Sequence, residues 1–128
     1  MSVKQHIRGV QHLGIPTNDI EATKKFFISL GFEEVFHAVN NGEKVSFLRL
    51  GNCTIETYQN GQAHMAPGAV DHIALDVDDI EATYKEVHAL GYKELENGIQ
   101  QLPFWEKGCR FFTIMGPNKE KVEFSQIL

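Results

Sequence analysis

The sequence contains the same phrase twice. Val10-Gln11-His12-Leu13-Gly14-Ile15, followed by Asp19-Ile20-Glu21-Ala22-Thr23, returns at an offset of 60 as Val70-Asp71-His72-Ile73-Ala74-Leu75, followed by Asp79-Ile80-Glu81-Ala82-Thr83. The register runs on through Leu30-Gly31-Phe32 and Leu90-Gly91-Tyr92. Self-similarity at a fixed period marks one supersecondary unit used more than once. Later segments drift: Phe47 to Gly51 aligns with Phe112 to Gly116 at an offset of 65, and Glu56 with Glu123 at 67.

Each copy reads as β-α-β-β-β. Alternation around His12 and His72 suggests a strand. Asn18 and Asp78 are placed to cap a helix, with Glu21 and Glu81 three residues on, as in a capping box. Ile20, Phe27 and Leu30, and likewise Ile80, Val87 and Leu90, fit one helical face. Gly31 and Gly91 then stop the helices. In the first copy strands are expected near Glu33 to Val39, Lys44 to Leu50 and Cys53 to Tyr58, with Asn41-Gly42 as a hairpin turn. In the second they are expected at Tyr92 to Leu95, Cys109 to Met115 and Lys121 to Ser125, with a long loop before Cys109. The fold class is therefore α+β, a single domain over 1–128 with module one at 6–58, a linker at 59–69 containing Pro67, and module two at 70–128.

Composition narrows the class of function. A chain of 128 residues with 42% apolar residues can bury one good core. Its formal net charge of −5, with no basic stripe, speaks against nucleic acid. The opening MSVKQHIRGV lacks the apolar run of a signal peptide, and no stretch reaches the roughly 18 apolar residues of a membrane span. Cys53 and Cys109 are too few for a disulfide framework and read as thiols of a cytoplasmic protein.

Side chains two apart share a strand face. Leu13 and Ile15 oppose His12 and Gly14; Ile73 and Leu75 oppose His72 and Ala74. Each histidine is thus followed on its face by a residue with little or no side chain, which leaves room beside the imidazole. Glu56 and Glu123 sit mid-strand, with Ile55, Val122 and Phe124 pointing the other way. A lone strand histidine is ordinarily a hydrogen-bonded residue of no special function, and a lone strand glutamate a solvated one. Two of each at matching places in a repeat point to one divalent-metal site. A concave face holding two carboxylates needs a cation or a proton. Imidazole and carboxylate suit Ni, Zn, Mn, Fe or Co.

This arrangement resembles the vicinal oxygen chelate superfamily, and within it the glyoxalase I branch, over nearly the whole chain. The family pattern is His on the first strand, Glu on the fourth, His on the fifth and Glu on the eighth, here His12, Glu56, His72 and Glu123. Asp71-His72-Ile73-Ala74-Leu75-Asp76-Val77-Asp78 is similar to the family's fifth strand. Gly116-Pro117-Asn118-Lys119 resembles its Asp-Pro-Asp-Gly turn, with departures that include Gly116 and Lys119. The resemblance implies two tandem βαβββ modules forming a curved mixed sheet around a metal cavity, commonly in a homodimer, with modules paired within or between chains. Related methylmalonyl-CoA epimerases carry Gln at the fourth-strand position. Extradiol dioxygenases and fosfomycin-modifying enzymes use two histidines and one glutamate, and bleomycin-resistance proteins lack the set. Glu56 therefore selects the glyoxalase branch.

The implied reaction converts the hemithioacetal of an α-ketoaldehyde such as methylglyoxal, with glutathione or another thiol, to an α-hydroxyacyl thioester by proton transfer through an enediolate. The implied cofactor is one divalent ion, Ni2+ or Zn2+. Glu123 is expected as the main base, with Glu56 as the other candidate and His12 and His72 as ligands only. Asn60 matches a residue that bacterial glyoxalases use near glutathione, whereas Pro16 stands where they often carry arginine. Lys107 and Arg110 are candidates for a substrate carboxylate or for plain surface charge. Phe104 and Trp105 either line the pocket or pack at an interface. His6, His37, His64 and His88 have no histidine partner in the repeat and read as incidental.

Overall fold

The computed structural model describes residues 2–128. After a single 3-10 turn at Val3–His6, module one runs β1 (Leu13–Thr17), α1 (Ile20–Ser29), β2 (Glu33–Asn40), β3 (Glu43–Leu50) and β4 (Cys53–Gln59). Module two runs β5 (His72–Asp76), α2 (Ile80–Ala89), β6 (Lys93–Glu94), β7 (Gln100–Leu102), β8 (Cys109–Met115) and β9 (Lys121–Ile127). Contacts divide the chain into two compact units between Gly61 and Gln62, inside the stretch read as a linker. The α+β class holds, as two mixed sheets with one helix each. Among the described residues no helix is long and apolar enough to cross a membrane.

The helices start one residue later than the sequence suggests. Asp19 and Asp79, not Asn18 and Asp78, are the caps: both have extended backbone, and their carboxylates accept the N–H of Ala22 and Ala82. The capping box with Glu21 and Glu81 is therefore not the device used. A carboxylate at the cap also meets the positive end of the helix dipole, which favours aspartate there. A second tie is repeated in both modules. The N–H of Ile20 donates to Gln59 Oε1 at 2.8 Å, and that of Ile80 to Gln126 Oε1 at 2.9 Å. The last strand of each module is thus latched to the start of its helix. At the other end of α1, Gly31 (φ 107°) lets Phe32 N–H donate back to the Phe27 carbonyl, which closes the helix.

The first sheet has strand order β1-β4-β3-β2, with β1 and β4 parallel and the other pairs antiparallel. Asn41 and Gly42, with φ of 51° and 81°, make the two-residue turn between β2 and β3. The second sheet follows the same plan as β5-β9-β8-β6, with β7 also on β8. The counterpart of β2 is broken here. Lys93 and Glu94 pair with β8, the chain leaves, and Gln100 to Leu102 rejoin it. The expected long loop therefore contains a strand, too short for alternation to reveal.

Apolar residues fill the helix side of each sheet. In module one Ile20, Phe26, Phe27 and Phe32 meet Leu48 and Ile55; in module two Ile80 and Val87 meet Phe112, Ile114, Val122 and Phe124. Each such side chain removed from water contributes roughly 1.5–3 kcal/mol. Pairing also corrects the repeat. Phe47 lies opposite Glu56 and Thr113 opposite Glu123, so β3 and β8 correspond at an offset of 66, not 65. A slip of one residue exchanges the two faces of a strand. Phe112 is accordingly buried under α2, whereas Phe47 faces away from α1 beside His12.

Candidate metal-binding pairs

The parallel pairing of first and last strands sets the candidate residues side by side. In module one Gly14 is the register partner of Glu56, and in module two Ala74 is the partner of Glu123. The two glutamates thus occupy equivalent positions. His12 sits immediately before β1 and His72 opens β5, one step before the pair in each sheet. Tyr58 lies over Gly14: a Cβ there would stand in ordinary contact, 3.6 Å, with Tyr58 Cε1 and its hydroxyl oxygen.

Each module brings one histidine to one carboxylate. His12 Nε2 lies 3.4 Å from Glu56 Oε1, and His72 Nε2 lies 3.7 Å from Glu123 Oε1. These separations are longer than a good hydrogen bond. Two ligands about 2.1 Å from one ion at a tetrahedral angle stand about 3.4 Å apart, so both pairs have the spacing of neighbouring ligands. The other ring nitrogen is occupied in both. His12 Nδ1 donates to Gln11 Oε1 at 3.0 Å, and His72 Nδ1 to Asp71 Oδ2 at 2.9 Å. In a neutral ring, a proton on Nδ1 leaves the Nε2 lone pair free on the side of the glutamate. Among the described residues no group of three or more His, Cys, Asp or Glu is arranged to hold a metal; the unit of the arrangement is the pair.

The surroundings of the pairs differ. His12 meets the edge of Phe47 at a centroid distance of 5.6 Å, and Phe47 meets Phe36 at 6.1 Å. In module two the place of Phe47 is taken by Thr113, whose N–H donates to Glu96 Oε1 at 2.7 Å. Where β6 breaks off, the Glu96 carboxylate thus supplies the acceptor that a strand would have given. Burial pushes the Glu123 carboxyl above its ordinary value, Glu96 adds to the rise, and His72 opposes it. Asp71 is held below the ordinary range by its hydrogen bonds to His72 and then Lys121, whose Nζ lies 3.1 Å from Oδ1.

The substrate candidates are scattered. Asn60 follows β4, with its N–H donating to the Tyr58 carbonyl. Arg110 is on β8 but pairs with Glu81 of α2, and by alternation lies on the opposite face from Thr113 and Glu123. Lys107 lines an open cleft of about 450 Å³ with Gln101, Leu102, Pro103, Glu106 and Gly108. Trp105 is 70% exposed, with φ of 66°, next to an exposed Phe104. Sequence reasoning passed over Tyr58, which shares the Glu56 face and lies over Gly14, and Glu96, which lay in an expected loop. Alternation from Glu56 was the available signal for Tyr58; none existed for Glu96. Cys53 and Cys109 are free thiols, with Cys109 buried. His37 faces Glu34 and His88 faces Glu94, in the roles of ordinary partners.

Comparison with known proteins sets these pairs in context. Residues 9–103 match the family model described as the Glyoxalase/Bleomycin resistance protein/Dioxygenase superfamily. The uncharacterized protein YwbC of Bacillus subtilis (strain 168) is 32% identical over 124 residues, 91% of this chain and 96% of that protein. Among solved structures, a glyoxalase family protein from Enterococcus faecalis superposes with a TM-score of 0.75 at 19% identity, over 94% of this chain and 98% of that one. The fosfomycin resistance protein FosX from Listeria monocytogenes, complexed with Mn(II) and sulfate, gives a TM-score of 0.72 at 14% identity, over 95% and 94%. At these identities the two structures speak for the fold alone.

Proposed function

Since the chain belongs to the glyoxalase/bleomycin resistance protein/dioxygenase superfamily, we propose that it is a metal-dependent lyase of the glyoxalase I kind, with His12, Glu56, His72 and Glu123 as ligands. The observation that carries this is the repeated pair: a histidine with Nδ1 occupied and Nε2 turned to a carboxylate, twice, at equivalent register. Two such pairs would together make the His2Glu2 set that suits nickel or zinc. Modules of one chain or of two chains in a homodimer can supply the halves. A bound ion would contribute Lewis acidity, drawing charge from two neighbouring substrate oxygens.

The protein's own part is proton movement. The hemithioacetal carbon loses its proton to a carboxylate, which returns a proton to the adjacent carbon, while the hydroxyl proton passes to the former ketone oxygen, giving an α-hydroxyacyl thioester. The step is an isomerisation and consumes no other reactant. Glu123 is the candidate base: burial raises its carboxyl above the ordinary value, which favours proton uptake. Phe36, Phe47 and Tyr58 on the module-one face would exclude water from the reacting carbons.

The test has two stages. Purified protein is supplemented with nickel, zinc or manganese and its metal content measured beside a His12→Ala control; wild type is expected to retain an ion that the control loses. Metal-free wild type under every supplement would overturn the reading in favour of a binding protein without chemistry. Turnover of methylglyoxal is then followed with glutathione and with other small thiols. Pro16, on β1 where related glyoxalases often carry arginine, favours a second reading in which the same pairs act on another oxygen-rich small molecule. Retained metal with no turnover on any thiol would select it.

A further inference from the structure

We propose that Asp71 is a positioning residue that makes module two the stronger metal-holding half, with Lys121 as its anchor; this rests on the metal reading above. The modules offer the same ligands but differ directly behind them. Behind His72 stands a carboxylate, Asp71 Oδ2, at 2.9 Å from Nδ1. Behind His12 stands the neutral amide of Gln11, at 3.0 Å. The difference extends one residue further. Lys121 is the register partner of His72 on β9, and its Nζ reaches both Asp71 oxygens, at 3.1 and 3.4 Å. The position equivalent to Lys121 in module one is Thr54, two residues before Glu56, and its hydroxyl accepts from Arg49 Nε at 3.0 Å. Carboxylate and ammonium are thus present together in one module and replaced together in the other.

The physical consequence is directional. A carboxylate accepting the Nδ1 proton makes a charge-assisted bond, fixes the ring about its last torsion and strengthens the electron pair at Nε2. A neutral amide does the same more weakly. Lys121, bridging both oxygens, holds the Asp71 carboxylate against the ring. His72 is therefore the tighter of the two nitrogen ligands, although its side chain is the more exposed, at 44% against 34% for His12.

The test uses the full-length protein stripped of metal and titrated with Mn(II), with free ion read by electron paramagnetic resonance. Asp71→Asn is expected to weaken Mn(II) binding by about ten- to hundredfold, and Gln11→Ala by distinctly less. With Co(II) as probe, Asp71→Asn should also change the visible absorption of the bound ion, which a loss of stability alone would not. Equal losses in the two variants, or no loss in Asp71→Asn, would overturn this proposal and leave the metal reading standing. Wild type that takes up no Mn(II), Ni(II), Zn(II) or Co(II) would overturn both. Should Asp71→Asn fail to fold, Lys121→Gln tests the same arm: a loss in the same direction supports it, and unchanged affinity overturns it.

Discussion

Module one and module two share a plan, yet they spend their residues differently. In module one α1 buries Ile20, Thr23, Phe26 and Phe27, whereas α2 buries only Ile80 and Val87. The faces carrying the histidine–glutamate pairs diverge in the other direction. The module-one pair is walled by Phe36 and Phe47, and the module-two pair by Thr113 and Glu96. Duplication explains why the pairs match, while their neighbours have diverged to aromatic rings in one module and a threonine and a second carboxylate in the other.

The comparison can be broken most forcefully at the glutamates. Glu123→Gln is expected to lower kcat on a hemithioacetal by about a hundredfold or more, and Glu56→Gln by less, with metal content measured in both. Equal losses would mean that the walls do not differentiate the pairs. Next come the cores. Phe27→Ala should cost about 3–5 kcal/mol of unfolding free energy in urea, and its counterpart Val87→Ala clearly less, because Val87 has fewer atoms to lose. Removing either cap, Asp19→Ala or Asp79→Ala, should cost about 0.5–2 kcal/mol, alike in the two modules because the geometry is alike.

The smallest effect concerns pH. Glu34 is held below the ordinary carboxylate value of 4.5 chiefly by the Ser46 hydroxyl, then by Lys24; its counterpart Glu94 is held below it by Tyr84 and then His88. A lowered folded-state value means the contribution is complete above the ordinary value and is lost as pH falls through the lowered one. The melting temperature should therefore drop on acidification below about 4.5. Glu34→Gln and Glu94→Gln should each flatten that drop. A variant as acid-sensitive as wild type would show that its carboxylate is not among the groups responsible.

How much was legible in the sequence depends on which interaction sets each feature. The Asn41–Gly42 turn was readable because only a few residues accept positive φ in succession. The helices and their glycine ends were readable for the same local reason. Caps were missed by one residue, since Asn18 and Asp19, like Asp78 and Asp79, both carry side chains that can cap, and local sequence does not choose between adjacent candidates. The face of β8 was misaligned because alternation gives relative faces, while pairing with β9 gives absolute ones. The candidate histidines and glutamates stand out in the sequence through their repetition, and the fold places one of each together in each module. Glu96 was invisible, because it acts where β6 stops, and a broken strand leaves no period to read.

Within each module the strand that opens the unit lies parallel to the strand that ends it, and the other pairings join strands that are neighbours in the chain or, for β6 with β8, separated only by the short β7. The parallel pairing carries the longest loop-closure cost in the module, so it is the contact expected to form late and to open early. His12 with Glu56, and His72 with Glu123, straddle this seam. On the reading proposed above, a cation held from both sides would clasp this closure and add to stability as its concentration exceeds its dissociation constant, by about 2.7 kcal/mol at a hundredfold excess. The supply of ion would then set how long each module stays closed, and through that how readily a protease finds the open chain.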